Sequence, residues 1–294
     1  MITVIIPTRN RPHQLKDLLI SILGHNTYND FEILIIDDCS NEENKKILEN
    51  ILADKLFFNF KLRYIYSIKQ KYPAGCRNIA ALEARGEILY FVDDDCEFRH
   101  DNLREISKFY AEHINEKFIL GGYNICPGKN LLAALYNNFF NCSLWLSCSI
   151  REGLLRKIFI WGERDNFFVN FVPSLNMACK RNIFDSLRFN EEYKVNEDEI
   201  FCNEAIKSKY TILFTKKLKL AHNHAFRSFS ELLLRLTELG RYYRRKNIFR
   251  RIIFVFLYPW AMVLFTRNLP FVFHYATMSY AWARPFLVKE SERL

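Results

Sequence analysis

The sequence predicts an α/β protein: a mostly parallel sheet flanked by helices, followed by a helical C-terminal region of different character. Three observations carry this reading. Short β-branched or apolar runs at residues 3–7, 32–36, 62–68 and 88–92 each have the length of one buried strand. Stretches with apolar residues at helical spacing stand between them. Aspartates collect where the strands should end, the edge at which open α/β sheets bind ligands. The chain of 294 residues is 50% hydrophobic and 26% charged, which supplies a core and excludes wholesale disorder. Nine glycines and eight prolines without a repeat exclude collagen-like and low-complexity classes.

Taken in order, the strand at 3–7 leads into the turn Thr8-Arg-Asn-Arg-Pro12, and Pro12 suits the first turn of a helix. Leu15, Leu18, Leu19, Ile22 and Leu23 then mark one helical face. The strand at 32–36 ends in Asp37-Asp38, a helix is expected over 42–54, and a strand over 62–68. A helix over 76–84 precedes the strand at 88–92, which runs straight into Asp93-Asp94-Asp95. Residues 126–172 are aromatic-rich with weak periodicity and read as helical or loop material over the sheet. Ordered structure resumes at 176–179, a helix opens over 195–205 after an acidic turn, and 210–214 reads as a strand.

The charge is unevenly placed. Residues 1–226 hold 30 basic and 29 acidic side chains, whereas residues 227–294 hold 12 and 4. The boundary at 226/227 therefore separates a near-neutral domain from a basic region. Residues 228–251 form one amphipathic helix by pattern, and the uncharged aromatic runs 252–266 and 268–283 follow. Each run is shorter than the roughly 20 residues a spanning helix needs. With Trp260, Trp282 and several tyrosines, they read as helices lying in a membrane interface, or as a hairpin on a second subunit. None of the eight cysteines forms a C-x-x-C pair, so a zinc ribbon or dithiol redox site has no support. The first residues lack the basic, long-apolar layout of a signal peptide. The expectation is a cytoplasmic protein, peripheral at the cytoplasmic face of the membrane, with reduced thiols.

Four polar clusters stand at expected strand ends or helix starts: Asp37-Asp38, Asp93-Asp94-Asp95, Asn196-Glu-Asp-Glu199 and His222-Asn-His224. A lone carboxylate after a strand is often a solvated turn residue. Three in succession repel one another unless a cation or a long solvated loop relieves them, and the run 88–92 leaves little loop. Hard divalent ions prefer oxygen donors and bind through one or two carboxylates plus substrate phosphates. In Gly75-Cys-Arg-Asn78 the glycine permits close backbone approach, and Arg77 can grip phosphate oxygens in a forked geometry. His222 and His224, two positions apart, would share one face of a strand.

The ordered set Val4-Ile-Ile-Pro-Thr-Arg-Asn10, Asp37-Asp38, Ala74-Gly-Cys-Arg-Asn78, Tyr90-Phe-Val-Asp-Asp-Asp95 and Asn196-Glu-Asp-Glu199 resembles the family 2 glycosyltransferases over about residues 1–226. The resemblance implies a glycosyltransferase-A fold, of Rossmann-like type, and inverting transfer of a sugar from a nucleotide-diphosphate donor to a hydroxyl of a glycan or lipid-linked acceptor. It implies that Pro7, Thr8 and Asn10 line the nucleotide pocket, that Asp38 bonds the base, and that Arg77 lies near the diphosphate. Asp93 and Asp94 would face the ribose and donor sugar, and Asn176 would line the donor and acceptor pocket. Asp95 would ligate Mg²⁺ or Mn²⁺ with His222 or His224, and Asp198 would be the general base. Residues 126–172 contain no motif that aligns, which leaves acceptor contacts unassigned.

The chemistry of inversion agrees with these types of residue. An acceptor hydroxyl attacks in line, a nearby carboxylate takes its proton, and the departing diphosphate gathers charge that a divalent ion stabilises. A nucleotidyltransferase acting on a sugar phosphate is the alternative enzyme, but residues 4–10 lack the glycine-rich phosphate loop it would carry. Nucleic acid as partner is disfavoured by the uncharged runs in the basic region. A non-catalytic membrane-associated binding protein is disfavoured by the intact acidic positions.

Overall fold

The computed structural model describes residues 1–58, 60–125, 131–132, 134–136, 138, 165–194, 196–222, 228–242, 259–260 and 272–287. Contacts divide the chain into two units, one of Met1–Ile125 with Ser147–Asn223 and one of Cys126–Leu146 with His224–Leu294.

The first unit is built on a nine-stranded sheet. Its strands are β1 (Ile2–Thr8), β2 (Phe31–Asp37), β3 (Leu62–Tyr66), β4 (Ile88–Val92), β5 (Cys96–Phe98), β6 (Phe118–Ile125), β7 (Asn166–Val169), β8 (Asn176–Lys180) and β9 (Thr211–His222). The spatial order is β3-β2-β1-β4-β8-β6-β9-β5, with β7 also paired to β9. β1 to β4 run parallel. β8 is antiparallel to β4 and β6, β6 is parallel to β9, and β5 and β7 are antiparallel to β9. Five helices flank the sheet: α1 (Pro12–His25), α2 (Glu42–Leu52), α3 (Tyr72–Glu83), α4 (Asn102–Glu112) and α5 (Glu197–Lys207).

Burial explains why these segments take these forms. β2 is buried at every position and β1 at all but Pro7, as expected of strands covered on both faces. Leu15, Leu18, Leu19 and Ile22 turn one stripe of α1 into the core. Asn41 caps α2, its side chain accepting from the Asn44 amide at 2.8 Å, with Glu42 and Glu43 in the first turn. α3 begins four residues before the helix expected at 76–84, because its first amides are capped by Asp38, a residue distant in sequence. β3 stops at Tyr66, and Ile68 is 84% exposed.

β5 and β6 have no counterpart in the sequence expectations, and β7 overturns the helical or loop reading of 126–172 where it pairs with β9, the rest of that stretch lying mostly outside the described residues. In β6 the apolar run is interrupted by Gly121 and Gly122, poor strand formers that packing requires. A Cβ at Gly121 would collide with Val172, and one at Gly122 with Asn176 and Leu218. β9 continues eight residues past the expected 210–214, through Lys216, Lys217 and Lys219, with a register shift opposite Gly122/Tyr123. His222 is therefore the last residue of a strand rather than a residue after one. His224 lies outside the described residues.

In the second unit two helices are described, α6 (Phe229–Tyr242) and α7 (Val272–Leu287). Ser228 caps α6 by accepting from the Glu231 amide at 3.2 Å, the first half of a capping box. Leu232, Leu236, Tyr275, Met278 and Ala281 are buried, and the Thr237 hydroxyl donates to the Ala281 carbonyl at 3.1 Å. Phe273 and Tyr280, seven positions apart on α7, are 79% and 49% exposed. Among the described residues no helix is long and apolar enough to cross a membrane. The expected helix 228–251 and runs 252–266 and 268–283 lie partly outside the described residues.

Candidate active site

Parallel pairing of β1 with β2 and β4 brings three loops to one edge of the sheet. Thr8 stands opposite Asp37 in register, and the Asp38 amide donates to the Thr8 carbonyl at 2.8 Å. Asn10 ties two of the loops together: its amide donates to Ser40 Oγ at 2.8 Å, and its Oδ1 accepts from the Asn41 amide at 2.9 Å. Asp37 faces inward, accepting from the Ser40 amide at 2.8 Å and from Tyr64 at 2.9 Å. Asp38 accepts from the amides of Lys71 and Tyr72, the latter at 3.0 Å, at the start of α3. Asn10, Cys39 and Tyr72 all have positive φ, at 54°, 61° and 58°. Three non-glycine residues in this region around one edge are a concentration of backbone strain, held by the hydrogen bonds just described.

These loops enclose a cavity of about 320 Å³. Of the sequence-nominated residues, Pro7, Thr8, Asp38, Asp93 and Asp94 line it. Arg9, Arg11, Gln70 and Tyr72 line it as well and were not nominated. Both arginines stand in the turn 8–12, but a sequence gives no sign of which turn cations face carboxylates.

The three consecutive aspartates diverge. Asp93 Oδ1 accepts from Arg77 at 2.8 Å. Asp94, 4% exposed, accepts from Thr8 Oγ1 at 2.7 Å and from Arg11 at 3.0 Å. Burial pushes its carboxyl up to about 6, against the opposing pull of Arg11. Asp95 Oδ2 lies 3.3 Å from Arg11, and its Oδ1 lies 3.5 Å from His222 Nε2. Within the chain, Arg11 and Arg77 offset part of the repulsion in this triplet. His222 reaches Asp95 because β5 starts directly after the triplet and pairs antiparallel with β9, setting Cys96 opposite His222. Burial opposes protonation of His222, but the hydrogen bond and charge of Asp95 outweigh it and raise its pKa.

Asp95 and His222 offer one carboxylate oxygen and one imidazole nitrogen at a spacing that neighbouring donors around a single ion can adopt with small adjustment. Among the described residues no group of three or more His, Cys, Asp or Glu side chains is arranged to hold a metal by itself. The pair fits a hard divalent ion whose remaining positions are filled by water and phosphate oxygens.

Three further nominated residues, Arg77, Asn176 and Asp198, do not line the cavity. Arg77 is 2% exposed and does not line it; its Nη1 bonds Glu197 and its Nη2 bonds Asp93. It joins α3, the triplet and the start of α5. Asn176 is fully buried, accepting from Tyr90 at 2.8 Å and donating to Asn124 at 3.4 Å. Asp198 stands in the first turn of α5, after the left-handed Asn196, and accepts from the amides of Ser174 at 3.2 Å and Glu199 at 2.8 Å. Burial first, then the Glu197 charge, pushes its carboxyl up to about 7 despite the pull of Arg77.

Known proteins share this architecture. The family model described as glycosyl transferase family 2 matches residues 3–187. The GalNAc(5)-diNAcBac-PP-undecaprenol beta-1,3-glucosyltransferase of Campylobacter jejuni is 27% identical over 203 residues, covering 69% of this chain and 59% of its own. The poly(ribitol-phosphate) beta-N-acetylglucosaminyltransferase TarS of Staphylococcus aureus is 29% identical over 119 residues, covering 40% of this chain and 20% of its own. The chain thus spans under two thirds of the length of either relative. Among solved structures, the mannosyltransferase PcManGT from Pyrobaculum calidifontis, in complex with GDP-Man and Mn²⁺, aligns with a TM-score of 0.65 at 14% identity. That alignment covers 99% of this chain and 88% of the other.

Proposed function

The chain belongs to glycosyl transferase family 2 and has the glycosyltransferase-A fold, and from that premise we propose that it transfers a sugar, with inversion, from a nucleotide-diphosphate donor to a hydroxyl of a glycan or lipid-linked acceptor. The observation that carries this reading is the convergence of Asp93, Asp94, Asp95 and His222 on one edge of the sheet, beside a cavity walled by Arg9 and Arg11. That volume and mixed polar lining suit a nucleotide.

In the proposed reaction the acceptor oxygen bonds to the anomeric carbon as the bond to the diphosphate breaks. The leaving group keeps the bonding electrons, and the hydroxyl proton passes to Asp198. Two backbone amides orient the Asp198 carboxylate, and its raised pKa makes it a stronger base than a solvated aspartate. Arg9 and Arg11, which line the cavity together with Asp38, Asp93 and Asp94, would be the groups to meet the diphosphate. Asp95 and His222 would hold Mg²⁺ or Mn²⁺, which when bound neutralises charge gathering on the leaving diphosphate.

The acceptor and location are part of the same proposal. The Campylobacter relative is named for an undecaprenol-linked substrate. Here the basic residues of 227–294 and the exposed Phe273 and Tyr280 support contact with a membrane surface, the cytoplasmic face being the expected one.

The test is release of nucleoside diphosphate from a panel of nucleotide sugars, by purified protein with Mn²⁺. Activity on one donor is expected, abolished by excess chelator and by Asp95→Ala, while circular dichroism of the variant stays unchanged. Full activity in chelator would sink the metal assignment; no activity on any donor would sink the transferase assignment.

A further inference from the structure

Arg11 stands apart from the other cations of the site. Its Nη1 lies 3.0 Å from Asp94 Oδ1 and 3.3 Å from Asp95 Oδ2, so one nitrogen is shared between two consecutive carboxylates. Arg77, the counter-charge of Asp93, is locked in place with a side chain 3% exposed. The Arg11 side chain is 47% exposed and lines the cavity. It is therefore a counter-charge held on one side only, with solvent and cavity on the other.

We infer that Arg11 is an exchangeable counter-charge: it neutralises Asp94 and Asp95 in the metal-free site, yields Asp95 to the divalent ion, and turns its guanidinium to the donor's diphosphate. The inference rests on the proposed metal site at Asp95 and His222. A divalent ion held beside His222 at Asp95 Oδ1 and Arg11 at Oδ2 would repel each other across one carboxylate, so each weakens the other's hold on it. The released guanidinium needs an anion, and a diphosphate offers oxygens in the forked geometry it prefers. The exchange couples the two ligands. Arg11 opposes binding of metal alone and favours binding of metal with nucleotide, so the empty site resists casual occupation by cations while the loaded one is tight.

The coupling has a signature that a merely structural arginine lacks, because its two effects have opposite signs. Mn²⁺ is titrated calorimetrically into the metal-free full chain without nucleotide, for wild type, Arg11→Met, Arg11→Lys and Asp95→Ala. UDP and GDP are then titrated at saturating Mn²⁺. Arg11→Met is expected to bind Mn²⁺ on the order of 10-fold more tightly than wild type and the nucleotide on the order of 10-fold more weakly, within the usual range of coupling between sites. Arg11→Lys should fall between, keeping the charge and losing the fork. In chelator, Arg11→Met should melt below wild type and gain more from added Mn²⁺, since the paired aspartates have lost their cation. Unchanged Mn²⁺ affinity in Arg11→Met, or weakening of both ligands together, overturns the exchange. Asp95→Ala binding Mn²⁺ as wild type does overturns the metal site itself, and the exchange with it.

Discussion

Asp198 meets two demands that oppose each other, being fixed in position and yet basic. Two amides fix it, while burial and the neighbouring Glu197 raise its pKa from about 3.8 to about 7. A carboxyl whose folded pKa exceeds its unfolded one holds its proton more tightly when folded. Its contribution to stability is thus present in acid and falls as pH rises from about 4 toward 7. The proposed role as base runs the other way, because only the ionised form accepts a proton. The transfer rate should therefore rise with pH along an acid limb centred near 7. Asp198→Asn should lower transfer by about 10²–10⁴-fold and abolish that limb, with nucleotide affinity unchanged. Chemical denaturation of both proteins across pH checks the other half: the stability of wild type relative to the variant should decline over this interval, and a rise would remove the burial argument. The acidic members of the site were readable from the sequence because consecutive aspartates at a strand end have few structural uses. Arg9 and Arg11 were not, since Arg11 meets Asp94 across 83 positions of chain. Asn176 gave no hint of full burial, because asparagine in a sequence usually marks a turn.

The parallel half of the sheet, β1 to β4, was legible because each strand is a short, mostly apolar run, with helices following β1, β2 and β3 and the aspartate triplet following β4. The other half was legible only in part, at 176–179 and 210–214. β6 contains two glycines, β9 three lysines, and β5 only three residues, so their pairing is decided by partners and not by local pattern. Those departures from pattern are where the packing is tightest. Gly122 lets Asn176 lie across β6 and hold the Tyr90 hydroxyl, which also accepts from Asn102 at 3.1 Å. Gly122→Ala forces a methyl into Asn176 and Leu218. Overpacking of this kind costs about 1–3 kcal/mol, and urea unfolding should show the loss. A variant as stable as wild type would mean the network can shift aside. Because β8 pairs with β4, such a shift should also reach the triplet and weaken nucleotide binding.

Over the whole molecule, the excess of positive charge is concentrated at the C-terminal end. Residues 227–294 carry 12 basic side chains against 4 acidic. Each basic residue near an anionic surface contributes about 1 kcal/mol, an effect that salt screens. Phe273 and Tyr280 add apolar area that salt leaves intact. The full chain should sediment with phosphatidylserine vesicles at low salt and less at high salt, and Phe273→Ser with Tyr280→Ser should remove the salt-resistant part. A stable oligomer that ignores vesicles would instead make this face a subunit contact. Point variants are the cleaner test, since residues Cys126–Leu146 group with this unit and a cut near 227 would leave them behind. The position of β9 has a consequence in time. It is the last described strand of the first unit to be synthesised, yet it pairs with β5, β6 and β7. A nascent chain still short of β9 leaves those strands with open edges, and such long-range closures are slow. Asp95 meets its histidine only when that closing strand docks, so a divalent ion captured there would act as a latch on closure of the sheet.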